Sequence, residues 1–325
     1  MKSYSIVFAL LLLCLTACKQ ETQPNDYAYY HDQVIVAETF ISENQYAEAL
    51  QVYDDLNEDF EFVFLRDLQV ASQLALQVGD KEKAIAYIQK GFAHGWDFQA
   101  TKEHPFLNKH LRAQDWEQLE NTYDDYNQQF VARIDTNLRQ QVKVLFDRDQ
   151  RMAYQAAVIE EEVAQEAFIR EQFPALSKQQ LERLSQMIET AGYPGERLIG
   201  NFFWASTILS HHNSIAPDIV SADTLYPSLR PKLLDAVKQG YMSPYDFALI
   251  EDWKQAVISE WASSEYGYVN PPTTASLPAI DQRRAEIGLR SVNLRNQLID
   301  LSSRTGMNFI LPDWVEGKIV VKANN

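Results

Sequence analysis

Gln45-Tyr46-Ala47-Glu48-Ala49-Leu50-Gln51-Val52-Tyr53 is the stretch whose reading decides the fold. Ala49, Leu50 and Tyr53 share one helical face, because residues three and four apart stack above one another. The same face returns at Ala84, Ile85 and Ile88. The recurrence has a spacing of 35 and runs through Ile41, Leu76 and Leu111, through Ala49, Ala84 and Leu119, and through Tyr53, Ile88 and Tyr123. Asn44 and Gly79 share one phase, and both residue types tolerate the left-handed backbone that ends a helix. Each period therefore reads as helix, tight turn, helix, with a small alanine where neighbours approach. In the third period Pro105 cuts the first helix short, and Trp116 stands at the phase of Tyr46.

The run from Gln45 to Leu50, followed by Tyr53, resembles the second half of a tetratricopeptide repeat, whose usual period is about 34 residues. The resemblance implies a concave surface for a peptide or protein partner. A rigid spacer or a cap for the next domain would give the same pattern. No paired Lys and Asn clamp for a peptide carboxylate is present.

Upstream, Lys2 precedes an apolar run over 6–15 that is too short to span a bilayer as a mature helix. It ends in Leu15-Thr16-Ala17-Cys18, which resembles the bacterial lipobox. That resemblance implies cleavage after Ala17, a diacylglycerol thioether on Cys18 and acylation of the new amino group. Several acyl chains anchor far more firmly than one. The inner-membrane retention signal of such lipoproteins is an Asp at the second position, where this chain has Lys19 followed by Gln20, so the outer membrane of a Gram-negative envelope is expected. Residues 20–26 are polar and read as a short tether.

Of the two cysteines, Cys14 falls in the removed peptide and Cys18 carries lipid. No thiol is then left for a disulfide, a nucleophile or a metal. The formal net charge of -16 opposes binding to nucleic acid, which depends on neutralising phosphates. Aromatic residues make up 12%, enough for a packed core.

Beyond residue 130 the pattern stays helical without Gly or Pro to Arg170, and Phe173-Pro174 is expected to end it. Ser177 and Gln180 read as a capping box for the next helix, which closes near Gly192. Tyr193-Pro194-Gly195 is a turn, and 198–209 reads as a central apolar helix running into His211-His212. Ser243-Pro244 opens another helix carrying Leu249, Trp253, Val257 and Trp261. A proline-rich loop and two short helices follow, over 281–286 and 291–303. Only 318–321 looks strand-like. The expected architecture is all-α, with tetratricopeptide-like hairpins over 27–130, a helical domain over 131–315 and a tail over 316–325, after the signal peptide (1–17) and tether (18–26).

Asp149-Gln150-Arg151, Gly192-Tyr193-Pro194, Gly200, His211-His212, Asp252, Tyr266-Gly267, Asp281, Arg283-Arg284 and Gly288-Leu289 recur in this order in a bacterial family of uncharacterised domains, DUF6624, which this part of the chain resembles. Two departures fall on polar positions. The family has an Asp-Arg pair where this chain has Asp252-Trp253, and it flanks Tyr-Gly with Gln and Thr where this chain has Glu265 and Tyr268.

The candidate site gathers His212, Asp149 and Asp252 as catalytic groups, with Arg151, Arg283, Arg284 and Tyr266 for binding. A His exchanges protons near neutral pH, a carboxylate orients it, and arginines grip a carboxylate or phosphate. Each feature also has a plainer use, as a helix C-cap, an ion pair or a salt bridge near Asp281. His211 and His212 point to different sides of a helix, so a metal site is not expected. No cofactor is implied, and the His-Glu-x-x-His, Gly-x-Ser-x-Gly and phosphate-loop motifs are absent. Two functions are carried forward: an interaction or scaffold lipoprotein, and an envelope enzyme or binding protein acting on a small anion or glycan fragment.

Overall fold

A computed structural model of the chain describes residues 26–311 and 315–324. The lipobox at Cys18, the signal peptide and nearly all of the tether lie outside the described residues. Among the described residues the fold is all-α, with sixteen helices and no strand. The strand-like stretch over 318–321 forms no strand, and a single parallel bridge lies just beyond it, between Thr273 and Lys322.

The first seven helices pack on one another largely in chain order. α1 (Tyr27–Ser42) and α2 (Tyr46–Asp59) form one pair, and α3 (Leu65–Val78) and α4 (Lys81–Ala93) the next. The turns sit at Asn44 (φ 62°) and Gly79 (φ 88°), the two residues of shared phase. In the third unit Pro105 divides the first helix into α5 (Phe98–Glu103) and α6 (Pro105–His110), and α7 (Ala113–Arg133) completes it. Each helix packs on its neighbour, α1 on α2, α2 on α3, α3 on α4 and α4 on α7. Ala49 and Ala84 are completely buried where the helices meet.

The second group starts with a long hairpin, α8 (Thr136–Ala157) and α9 (Glu162–Ala191). Pro174 does not end a helix here. It lies inside α9, where the missing N–H costs one ladder bond and packing of α9 on α8 and on the helix over 204–212 keeps the helix continuous. Ser177 and Gln180 are therefore buried interior residues, not a capping box. The expected helix over 198–209 is also broken, into α10 (Glu196–Ile199) and α11 (Trp204–His212), with the turn at Gly200 between them. α12 (Pro217–Ala222), α13 (Leu225–Lys238), α14 (Pro244–Ile258) and α15 (Leu277–Glu286) follow, and Ser243 caps α14 as its sequence indicates.

α16 (Val292–Thr305) crosses back to the first group and packs on α1. Leu298, Leu301, Met307 and Phe309 join the apolar core of the repeats. The segment 307–311 then lies along α3. Gln73 donates to the Asn308 carbonyl at 2.6 Å and accepts from its N–H at 2.7 Å, and Arg66 Nε donates to the Ile310 carbonyl at 3.0 Å. The two halves meet without room for side chains at two turns. A Cβ on Gly240 would stand 2.4 Å from the Tyr27 ring, and one on Gly288 would stand 2.4 Å from His31 Cβ. Both glycines also have positive φ, so the sequence has little freedom there.

Candidate functional site

The polar set that the sequence suggests divides into separate structures. Asp252, completely buried in α14, accepts from the backbone N–H of Glu265 (2.7 Å), Tyr266 (2.5 Å) and Tyr268 (2.6 Å), and from the Ser264 hydroxyl (2.9 Å). Both of its oxygens are occupied by the loop that wraps it. Arg284, also completely buried, fastens that loop through the carbonyls of Tyr266 and Arg290 and the Tyr268 hydroxyl. Its guanidinium stands 4.7 Å from the Tyr268 ring centroid. Arg283 pairs with Glu265, at 2.8 Å, and not with Asp281, which instead accepts from the Val292 N–H at the start of α16. Tyr266 is buried among these groups, and Arg151 is exposed on α8. These residues hold a loop in place, and complete burial keeps Asp252 and Arg284 out of reach of a substrate.

Asp149 is paired with His211 (Nδ1 to Oδ2, 2.6 Å) rather than with His212. His212 lies between Ser177 Oγ (2.7 Å, to Nδ1) and Asp223 Oδ2 (3.2 Å, to Nε2). The order hydroxyl, imidazole, carboxylate is that of a nucleophilic relay. Ser177, however, is buried in the middle of a 30-residue helix, and among the described residues none of the three borders the main cavities at the surface or between the helices. A nucleophile must reach the carbon it attacks, so this row joins helices. Among the described residues no group of three or more His, Cys, Asp or Glu side chains is placed to hold a metal ion.

A cavity of about 140 Å³ lies instead where the halves meet. Its walls come from α1 (His31, Val34, Ile35), the start of α3 (Phe64, Arg66, Asp67), the turn from α10 to α11 (Glu196, Phe202, Phe203), the start of α14 (Ser243, Tyr245, Asp246) and the turn before α16 (Leu289, Arg290). Beside it runs an ion-pair network. Glu38 binds both Arg66 and Arg290, the latter at 2.5 Å. Arg66 also reaches Asp67 Oδ1 at 2.9 Å, and the Tyr30 hydroxyl donates to Asp67 Oδ2 at 2.6 Å. Burial works against the Glu38 charge, but Arg290 and Arg66 outweigh it and hold the carboxyl below its ordinary value. Burial raises Asp67, yet both of its oxygens accept hydrogen bonds, which is the arrangement of the anion. The two arginines of the wall are thus matched by two carboxylates.

Glu196 and Asp246 face the same space without such a match. Glu196 Oε1 accepts from the Leu65 N–H (2.6 Å), the first residue of α3, and so caps that helix from the other half of the molecule. Neither Glu196 nor Asp246 has a cation within ion-pair distance among the described residues. Burial pushes Glu196 up to about 8, against the Leu65 N–H and the nearby charge of Arg133, with the Asp67 and Asp246 carboxyls adding repulsion. Burial pushes Asp246 up to about 6, against hydrogen bonds from Ser243 and Ser206. Both side chains keep some accessible surface, because they face the cavity while protein closes round their other sides. His31 is 5% exposed, and burial holds its pKa down at about 4.

No family model, curated protein or solved structure matches the chain. The cavity residues were open to sequence reasoning only in part. Tyr27, Tyr30, His31, Val34, Ala37, Glu38 and Ile41 form the buried stripe of α1, so His31 and Glu38 stand at core phase. A titratable residue at core phase signals a buried network. Glu196 carries no local signal, because the helix it caps begins 131 residues away.

Proposed function

We propose that the protein is a ligand-binding lipoprotein of the bacterial envelope, tethered through Cys18 and holding a small molecule between its helical-repeat half and its C-terminal half. The observation that carries this reading is the cavity at the junction, walled by both halves and by groups that the fold itself leaves without ionic partners. Ligand sites concentrate at such junctions, with apolar walls and a few placed polar groups. The lipid tether rests on the Leu15-Thr16-Ala17-Cys18 sequence. Among the described residues no helix is long and apolar enough to cross a membrane. A hydrolase acting through His212, Asp149 and Asp252 draws no support from the geometry, since each already has a partner in the fold.

The test is a small-molecule thermal-shift screen on the wild type and on Ile35→Trp, which places an indole at the cavity wall. Compounds that stabilise the wild type but not the filled variant support the reading. Stabilisation that persists unchanged in Ile35→Trp contradicts it.

A protein partner is a second reading, favoured by the extended segment along α3. The paired bonds between Gln73 and Asn308 are the contacts by which a helical groove would read an extended peptide. In this molecule the chain's own segment takes that place, so a partner would have to displace it. Protection of the 307–311 amides from hydrogen exchange, unchanged in an envelope extract, would count against this reading.

A further inference from the structure

We infer that the cavity between the two halves selects a small organic cation, an ammonium group on an apolar or aromatic body of roughly benzene size. The inference rests on the cavity being the ligand site, and it follows from an inventory of what the walls can still bind. Arg66 and Arg290 are the positive groups of the lining, and Glu38 and Asp67 already engage them. Arg290 is bonded to Glu38 through Nε alone and keeps its terminal N–H donors, but Glu38 and Asp67 already balance the charge of both arginines, so an anion would add to a lining that is net negative. Glu196 and Asp246 have no cation of their own. Arg133 attracts Glu196 through space but forms no ion pair with it, and its guanidinium stands over the Phe62 and Phe130 rings.

His31 supplies the independent observation. Its Nε2 lies 3.4 Å from the Val237 carbonyl, a group that only accepts, so Nε2 carries the hydrogen. Nδ1 is then an acceptor, and it has no hydrogen-bond partner among the described residues, although the side chain is 5% exposed and lines the cavity. The unfilled acceptors of the walls are therefore two carboxyls and a ring nitrogen, beside the side-chain amides of Gln69 and Asn201, which can donate or accept, and the terminal N–H groups of Arg290. An ammonium group has three donors and no acceptor, which is the complement. Phe64 and Phe203 add aromatic surface, which attracts a cation within about 6 Å, while Phe202 is already engaged by Trp204 and Arg139. A cavity of about 150 Å³ holds benzene, so the space suits one ring or a short alkyl chain.

A cation would also replace protons. The charged groups facing Glu196 are Arg66 and Asp67 from α3, Arg133 from α7, Asp246 from α14 and Arg290 from the turn before α16. In the free protein Glu196, near 8, still holds its proton at neutral pH, and Asp246, near 6, has mostly lost its own. Binding of an ammonium group ionises Glu196, so affinity rises between pH 6 and 8 and protons are released.

The test is calorimetric titration of the full chain with benzylamine, benzyl alcohol and benzoate, which share a ring and differ in charge. Benzylamine is expected to bind at least about tenfold more tightly than the other two. The paired variant Glu196→Gln/Asp246→Asn, checked for folding by circular dichroism, is expected to lose at least about tenfold for benzylamine and to leave benzyl alcohol unchanged. Benzyl alcohol or benzoate binding as tightly as the amine overturns the inference and leaves the cavity as a ligand site. Unchanged benzylamine affinity in the paired variant also overturns it. Binding by none of the three probes overturns both the inference and the reading beneath it.

Discussion

Asp252 and Glu196 are both carboxyls enclosed by protein, and the molecule uses them in opposite ways. Asp252 is closed over by the loop it organises, with backbone donors on both oxygens. Glu196 receives one backbone donor and faces a cavity, beside a second carboxyl that also has no cation. Burial raises both groups. The difference lies in saturation. A carboxyl whose hydrogen bonds are filled by its own loop serves the fold. A carboxyl with capacity left over, facing open space, has something to offer a ligand. The buried polar residues of highest rank by sequence motif belong to the first kind, and those at the junction to the second.

The largest effect is expected from removing the saturated group. Asp252→Ala leaves several buried donors unsatisfied, each costing about 1–3 kcal/mol but not additively. A loss of about 4 kcal/mol or more in urea unfolding is expected. A loss under about 1 kcal/mol would show that the loop does not depend on Asp252.

Glu196→Gln is expected to act in the other direction. The ordinary value of this carboxyl is 4.5 and the folded protein raises it to about 8. The folded state therefore holds the proton that the unfolded state releases. Stability contributed below pH 4.5 is lost as pH rises towards 8. The neutral amide removes that loss while keeping an acceptor for Leu65. The gain is expected to be about 2 kcal/mol at pH 8.5, discounted for the carboxyl's partial accessibility, and to shrink towards pH 5. A variant less stable than wild type at pH 8.5 would break the comparison, because Glu196 would then belong with Asp252.

A smaller loss sharpens it on the repeat side. Gln73→Ala removes both bonds to Asn308 and is expected to cost about 1–2 kcal/mol, with faster hydrogen exchange confined to 307–311. Global acceleration would mean that the segment is not a separable unit. Smallest of all, Arg151→Ala on the exposed face of α8 is expected to change stability by less than about 0.5 kcal/mol and ligand binding not at all. A measurable drop in affinity would bring Arg151 back into the functional set.

How much of this was legible depends on the range of the interactions involved. The N-terminal half is built from helices that pack mainly on their chain neighbours, so apolar periodicity marks its helices, and Asn44 and Gly79 mark its turns. The Ser243 cap is equally local. Pro174 misled because its cost is local while the packing that overrides it comes from α8 and α11. Asp149, His212, Asp252 and Arg284, candidate catalytic or binding residues by sequence, are engaged in contacts within the fold. Nothing local separates a carboxylate wrapped by its own loop from one in a site. The junction was harder still. His31 and Glu38 announce themselves only as polar residues at core phase, and Glu196 meets Leu65 only after folding.

The central claim is that Glu196 and Asp246 stand at the cavity as carboxyls without ionic partners. Carbon-13 NMR of side-chain carboxyls, titrated from pH 3 to 10 and assigned with Glu196→Gln and Asp246→Asn, tests it most directly. The expected result is one glutamate titrating near 8 and one aspartate near 6, each missing from its own variant. Titration of both groups near their ordinary values of 4.5 and 3.8 would contradict the account.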